Sequence, residues 1–384
     1  MEYKGIIITG TSGSGKSTIA RRICEKNGSF QIVRAVTTRL SRKDDFNGQY
    51  EYLKKNAFEN LIKDEELLIN AQYRGEYYGI RKISYKSILD QKKTPILVVT
   101  ADSVSRLPGF FSFFVDAPDK DLDNRLTSRE QQVDEEIRKQ RRIDREHAEK
   151  YCTYAVNNIN LEQTTELFLA LWEHRNAGGI LPERIIRLMI ECGVLLESVS
   201  DPGNIKGASY DLTVGDEYYS RGRIRTLTNK DPFIRLDPYD YVIVTSAENA
   251  NLPKDVAARF GLSVGLFCQG VILSNGPQVD PGFKGKLFCL LFNTSNSPVV
   301  LKRRQHHATI EFTKLLEPTC AYEGKYQGKI GIIHYLPSNT LKGAVSELKE
   351  ELEKVKSESQ KLNTTVLGVI SVLLAIVAIL LTLR

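Results

Sequence analysis

No C-x-x-C pair occurs in this 384-residue sequence; its six cysteines (Cys24, Cys152, Cys192, Cys268, Cys289, Cys320) are scattered. That spacing argues against zinc and against a disulfide framework, and points to buried thiols in a reducing compartment. Strong charge of one sign is absent too. With 53 Lys and Arg against 47 Asp and Glu, the net charge of +6 is too weak to argue for a nucleic-acid partner. No apolar run of signal-peptide type follows Met1, since Glu2-Tyr3-Lys4 leads straight toward Ile6-Ile7-Ile8. The length leaves room for more than one domain.

What is present is Gly10-Thr11-Ser12-Gly13-Ser14-Gly15-Lys16-Ser17-Thr18, a full G-x4-G-K-S pattern. It follows the apolar run Ile6-Ile7-Ile8 and opens a helix-like segment from Ile19 to Glu25. Strand, glycine loop and helix are the context a phosphate-binding loop requires. Glycines at 10, 13 and 15 let backbone N–H groups turn inward around phosphate oxygens, and the helix start at Ser17 and Thr18 adds partial positive charge. Lys16 is expected to reach the β- and γ-phosphates of ATP, and the Ser17 hydroxyl to sit on Mg²⁺.

Residues 1–176 alternate apolar strands (Ile32-Val33, Ile96 to Val99, Phe113 to Val115) with amphipathic helices, which predicts an α/β domain with a parallel sheet. Within it lie Thr37-Thr38-Arg39-Leu40-Ser41-Arg42, Asn47-Gly48-Gln49-Tyr50 and Gly75-Glu76-Tyr77-Tyr78-Gly79. With the phosphate loop, these stretches resemble the guanylate kinase family. The resemblance implies that Arg39, Arg42, Tyr50 and Tyr78 grip the phosphate of an acceptor monophosphate. Two guanidiniums and two phenols suit a dianion.

The positions with which that family reads guanine differ. Aligned on the flanking motifs, this chain has Ala35, Ile69 and Thr100, and Ile69 cannot accept hydrogen bonds where the family has a glutamate. Buried unpaired donors would cost about 1–3 kcal/mol each. The expected acceptor is therefore a nucleotide monophosphate other than GMP. Val98 replaces an acidic residue near the metal, with Asp102 as a nearby substitute. The lid resembles the family's, with Arg125, Arg129 and Arg142 placed to neutralise charge on the transferred phosphoryl group, and Asn157 placed near the adenine.

After Ala177-Gly178-Gly179 the pattern changes to one helix (182–192) and then short strands with turn signals such as Asp237-Pro238, Asn275-Gly276-Pro277 and Asp280-Pro281-Gly282. This predicts a mostly β barrel or roll over 181–335. Gly207-Ala208-Ser209-Tyr210-Asp211-Leu212, Asp280 to Gly285, and Tyr322 to Gly328 resemble the dCTP deaminase/dUTPase family, which implies a homotrimer. Where that family's deaminases carry a catalytic glutamate this chain has Leu290, and its phosphate loop reads Gly261 to Phe267, without the two arginines. Deamination is not expected. Asp280, Lys325, Tyr326 and Gln327 are the candidate nucleotide contacts; Asp280 is equally a plain turn residue. His306-His307 reads as a solvated strand end.

Leu341, Val345, Leu348, Leu352, Val355, Ser359 and Leu362 follow a 3-4 spacing, which predicts a coiled-coil stalk over 340–363. The uncharged stretch Thr364 to Leu383 is twenty residues long, enough at ~1.5 Å per residue to cross a bilayer. The expectation is a single-pass C-terminal anchor with both globular domains cytoplasmic. Three functions fit this organisation. The first is a membrane-anchored nucleoside monophosphate kinase using ATP and Mg²⁺, whose second domain binds a deoxynucleotide or trimerises. The others are a nucleotide-sensing membrane effector, as in antiviral defence, and a bifunctional nucleotide-pool enzyme with an active dUTPase half.

Overall fold

The computed structural model describes residues 3–42, 45–128, 133–274, 278–336 and 344–382; the side chains of 344–350, 375 and 377–382 lie outside that description. The run Ile6–Gly10 forms β1, the central strand of a five-stranded sheet. Side chains alternate across a strand. Ile6 and Ile8 therefore enter one apolar cluster with Ile19 and Phe168, while Ile7 enters another with Ile88 and Ala148. The expected parallel α/β architecture follows.

In chain order the first domain runs β1, α1 (Lys16–Lys26), β2 (Phe30–Ile32), β3 (Ala35–Thr37), β4 (Tyr50–Tyr52), α2 (Lys55–Lys63), β5 (Leu67–Tyr73), β6 (Glu76–Arg81), α3 (Lys82–Asp90) and β7 (Thr94–Val98). It continues through a 3-10 turn (Ala101–Arg106), β8 (Phe111–Asp116), α4 (Asp119–Thr127), α5 (Glu135–Tyr151), β9 (Tyr154–Asn157) and α6 (Leu161–Glu173). The main sheet has the order β2-β7-β1-β8-β9, all parallel. A second sheet, β4-β3-β6-β5, stands apart from it and carries Tyr50 and Tyr78.

The second domain is β-rich, and its strands are longer than the turn signals suggest. Ser209–Ser220 and Tyr241–Asn251 run 12 and 11 residues. Ser209–Ser220 keeps pairing past a register shift between Val214 and Tyr218, so a bulge replaces the expected break. Nor is the glycine linker loose, since Gly179 and Ile180 pair with Lys314 and Thr313. Helix α7 (Glu183–Glu191) buries Ile185, Ile186, Leu188 and Met189, and these join the same apolar cluster as Ile6, Phe113 and Phe168 of the first domain.

The two domains thus share one core. Polar contacts line its rim. The Tyr154 hydroxyl donates to buried Asp255, whose carboxylate lies 3.6 Å from Lys314 Nζ. Asn157 N donates to Cys192 O at 2.8 Å, and Asn251 Nδ2 to Gly193 O at 2.7 Å. All six cysteines are free, but Cys268 and Cys320 are exposed, against the expectation of buried thiols.

Residues 344–382 form one continuous helix. Among the described residues no helix is long and apolar enough to cross a membrane. Much of the apolar stretch expected to span lies outside the described side chains, as do Leu341, Val345 and Leu348 of the seam. The described seam residues Leu352, Val355 and Leu362 are exposed.

Tyr154→Phe removes the hydroxyl that meets Asp255, and is expected to cost about 1–3 kcal/mol. Urea denaturation should show this as a lower midpoint, with both domains still unfolding in a single transition because their core is common.

Candidate functional site

The phosphate loop is built by close backbone approach. Gly10 has φ +152°, and a Cβ there would stand 2.0 Å from Val115 O on β8. Gly15 begins α1 in the left-handed region, at φ +91°. Lys16 Nζ donates to Gly10 O at 2.9 Å and Thr11 O at 2.7 Å, so the amine lies over the loop. Ser17 Oγ accepts from Gln49 Nε2 at 2.9 Å, which ties the start of α1 to the segment before β4. Thr11 Oγ1 donates to Asp116 at 2.8 Å, and Arg145 Nε of α5 donates to the same carboxylate at 2.7 Å. Asn158, not Asn157, touches the loop, through Nδ2 to Ser14 O at 2.8 Å. Asn157 faces the second domain instead, because alternation in β9 turns consecutive residues to opposite sides.

The loop opens onto a cavity of about 600 Å³. Gly10, Gly13, Gly15, Lys16, Ser17 and Thr18 form one wall, and Arg39, Arg42, Tyr50 and Tyr78 line it as well. The donor side and the expected acceptor cluster are therefore joined. Tyr50 and Tyr78 meet edge to face at 6.5 Å, and the Arg39 guanidinium lies 4.6 Å over the Tyr50 ring. An acidic side chain already sits in this cluster. Asp45 accepts two bonds from Arg39 (2.8 and 2.5 Å), one from the Tyr52 hydroxyl (2.6 Å) and one from Arg42 N (2.8 Å). Burial pushes its carboxyl up, but the hydrogen bonds from Arg39 and Tyr52 outweigh that and hold it below the usual carboxylate range. The cluster thus holds one carboxylate by four hydrogen bonds. Tyr52 was not foreseen, although its position two residues beyond Tyr50 puts both rings on one strand face.

The base-reading positions behave as apolar structure. Ala35 and Ile69 are buried with Ile7 and Ile80 in the cluster behind the cavity. Thr100 lines the cavity, with its hydroxyl shared with Ser103 at 2.9 Å. Val98 lines it without a polar group. Asp102 does not take its place, since it is half-exposed and pairs with Arg106 at 3.1 Å. From α5, Glu136 and Asp144 reach the cavity, and Asp144 is the buried one, which no sequence motif marked.

Of the expected lid arginines, the two described, Arg125 and Arg142, are not on the cavity wall. Arg125 donates to Asn158 O at 2.7 Å. Arg142 is 65% exposed and pairs with Glu135 at 3.0 Å. Arg129 lies outside the described residues. Helix geometry explains the difference, because neighbours on a helix differ by about 100°. Arg141, not Arg142, faces inward, 2% exposed and 2.6 Å from Asp123. With Arg145 on Asp116 and Asp119, it ties α5 to α4 and β8.

In the second domain Leu290 is half-buried on the strand Lys284–Asn293, packed near Tyr219 and Ile243. The stretch after Gly261 holds the short helix α8 (Val264–Cys268), with Val264 and Phe267 exposed. A cavity of about 490 Å³ adjoins it, lined by Leu262, Ser263, Gln305, His306 and Thr309. Asp280, Lys325, Tyr326 and Gln327 do not line that cavity. The Gln327 amide is used on Lys284 N and Gly282 O, at 3.0 and 2.9 Å. Asp280 accepts from Gln278 at 2.8 Å, and Lys325 lies over Tyr326, which stacks on Tyr335. His307 is fully buried, not solvated, and burial pushes its pKa down to about 3; His306 faces the cavity.

Residues 2–174 match the guanylate kinase family, and residues 180–315 match the dCTP deaminase-like family. The chain is 30% identical over 175 residues to the guanylate kinase of Clostridium perfringens, covering 43% of this chain and 81% of that protein. It is 36% identical over 140 residues to the dCTP deaminase of Thermococcus gammatolerans, covering 36% of this chain and 87% of that protein. A solved guanylate kinase structure from Anaplasma phagocytophilum aligns with a TM-score of 0.38 and 20% identity, over 46% of this chain and 88% of that one.

A methyl group at position 15 would meet Asn158 Nδ2 at 2.6 Å in a backbone conformation only glycine adopts readily. Gly15→Ala is therefore expected to abolish ATP binding, while Arg142→Ala, on the exposed face, leaves the dissociation constant within about twofold. Titration with a fluorescent ATP analogue checks both.

Proposed function

The chain belongs to the guanylate kinase family through residues 2–174 and to the dCTP deaminase-like family through residues 180–315, and from that premise we propose that it is an ATP-dependent nucleoside monophosphate kinase whose acceptor is not GMP. The observation that carries this reading is the single cavity that Lys16 and Ser17 share with Arg39, Arg42, Tyr50 and Tyr78. In it the loop N–H groups and Lys16 hold the donor phosphates, and Arg39 with the tyrosine hydroxyls holds the acceptor phosphate. The acceptor's dianion competes with Asp45 for Arg39, a residue with five donors to share. Ser17 Oγ suits Mg²⁺, with the remaining ligands coming from phosphate oxygens and water, and the ion would neutralise charge on the phosphates. The buried apolar pair Ala35 and Ile69 supports exclusion of guanine.

The second domain, in this reading, binds a nucleotide or holds an assembly together without deaminating it, as Leu290 and the arginine-free loop at 261–267 suggest. The exposed seam Leu352, Val355 and Leu362 supports a stalk that joins copies of the chain, in a trimer, and the apolar stretch 364–383 supports a membrane anchor facing the cytoplasm. A second reading is a membrane-bound nucleotide sensor. It is favoured by Val98 in place of an acid and by Arg142 pointing into solvent.

The two readings part in a phosphoryl-transfer screen with labelled ATP, Mg²⁺ and a panel of ribo- and deoxynucleoside monophosphates. The kinase reading expects transfer to one acceptor class, at least a hundredfold reduced in Lys16→Ala. Binding of ATP without transfer to any acceptor would establish the sensor in its place. Flotation of the full chain with liposomes, lost on truncation after residue 340, is the expected result for the anchor.

A further inference from the structure

One buried charge in the cavity has no role in the reading above. Asp144 enters from α5, is 4% exposed, and lines the cavity with Tyr73, Tyr78 and Thr100. Its Oδ1 accepts from Gln140 Nε2 at 3.0 Å, whereas its Oδ2 has no hydrogen-bond partner among the described residues. The Tyr73 hydroxyl lies beside it, and burial pushes the Asp144 carboxyl up. Three other acidic side chains border the same cavity, and all are spent or wet: Asp45 on Arg39, Glu76 on Thr38 Oγ1 at 2.6 Å, and Glu136 on an exposed face of α5. Asp144 is therefore the buried acid with an oxygen left to offer.

We propose that Asp144 reads the base of the acceptor by accepting a hydrogen bond from an exocyclic amino group, so that cytosine- or adenine-type monophosphates are selected over uracil and thymine ones. This rests on the kinase reading and names its acceptor class. Thr100 has its hydroxyl engaged by Ser103, and Val98 and Val99, which line the same cavity, have no polar side-chain atom to offer a base edge. The Watson–Crick edges of cytosine and adenine pair a ring nitrogen acceptor with an amino donor. The amino group of either base can donate to Oδ2, the oxygen without a partner, while Oδ1 stays on Gln140. Uracil and thymine instead present N–H flanked by two carbonyl oxygens, and one of these would face the free Oδ2. A buried polar group left so opposed is what gives a site large discrimination.

The test uses the purified full chain with ATP, Mg²⁺ and CMP, dCMP, AMP, dAMP, UMP, dTMP and GMP. The expected wild-type result is a kcat/KM for an amino-bearing pyrimidine or adenine acceptor at least about tenfold above UMP and dTMP. Asp144→Leu should raise KM for that acceptor about tenfold or more while KM for ATP stays within about twofold. Asp144→Asn, whose amide both donates and accepts, should admit UMP or dTMP and shrink the preference to about threefold. A wild-type preference for GMP, UMP or dTMP would overturn the inference. So would a rise in the ATP or Mg²⁺ requirement of Asp144→Leu with acceptor KM unchanged, since that places the residue on the donor side. If the wild type phosphorylates nothing, the kinase reading itself falls. If it does phosphorylate an acceptor and both variants keep its preference, only the role of Asp144 falls.

Discussion

Strand β9 is the constraint on which the rest of the molecule depends. At its start, Tyr154 is fully buried and gives its hydroxyl to Asp255 of the second domain. Just past its end, Asn158 gives its amide to Ser14 O in the phosphate loop and takes Arg125 on its carbonyl. Four residues therefore connect the domain interface to the nucleotide loop and to α4. Gly193, at φ +73°, lets the second domain approach Asn157 so closely that a Cβ would stand 2.4 Å from its side-chain nitrogen. A displacement of the second domain against the first would have to move β9 or break these contacts, since close-packed interiors transmit strain and do not absorb it. Gly179, paired with Lys314 in the sheet of the second domain, takes up none of that motion.

The cavity above β9 is an arrangement of charge. Lys16, Arg21, Arg39, Arg42 and Arg74 bring cations to it, Asp45 answers Arg39 inside the cluster, and Asp144 lines it as a buried acid. Arg141 and Arg145, which might otherwise flood the site with positive charge, are instead held on Asp116, Asp119 and Asp123. They fix α5, and α5 in turn carries Asp144. The acid–base network outside the cavity thus sets the position of the acid inside it.

Much of this was legible in the sequence, and what was not has a common cause. The phosphate loop, Arg39, Arg42, Tyr50 and Tyr78 come from contiguous motifs, where local geometry decides which atoms meet; all of them line one cavity. Ala35 and Ile69 were legible as apolar positions, and both are buried in one apolar cluster. Asn158 and Asp144 were not legible, because Asn158 meets Ser14 across 144 residues of chain and Asp144 joins a cavity whose other walls come from residues far before it. At Arg142 the difference from the expectation has a finer reason. Arg141 and Arg142 are adjacent in an arginine-rich stretch, and only the phase of the helix, which is set by burial of Ile137 and Ala148, separates the inward one from the outward one. In the second domain Asp280, Lys325, Tyr326 and Gln327 were legible as a resemblance, but their side chains serve turns and stacking within one chain.

The two domains carry different chemistry. The first lines its cavity with Lys16, Arg39 and Arg42, while Ala35 and Ile69 are buried and apolar. The second carries α8, whose Val264 and Phe267 face solvent, and the half-buried Leu290. These residues stand outside the shared core of Ile186, Met189 and Ile310, so side chains there can vary without disturbing the fold. Toward the first domain the second presents α7, Asp255 and Lys314. Through Asp255 on Tyr154 it holds β9, and with it the loop that Asn158 supports. The packing of the second domain, and not its own cavity, is therefore what bears on the phosphate loop.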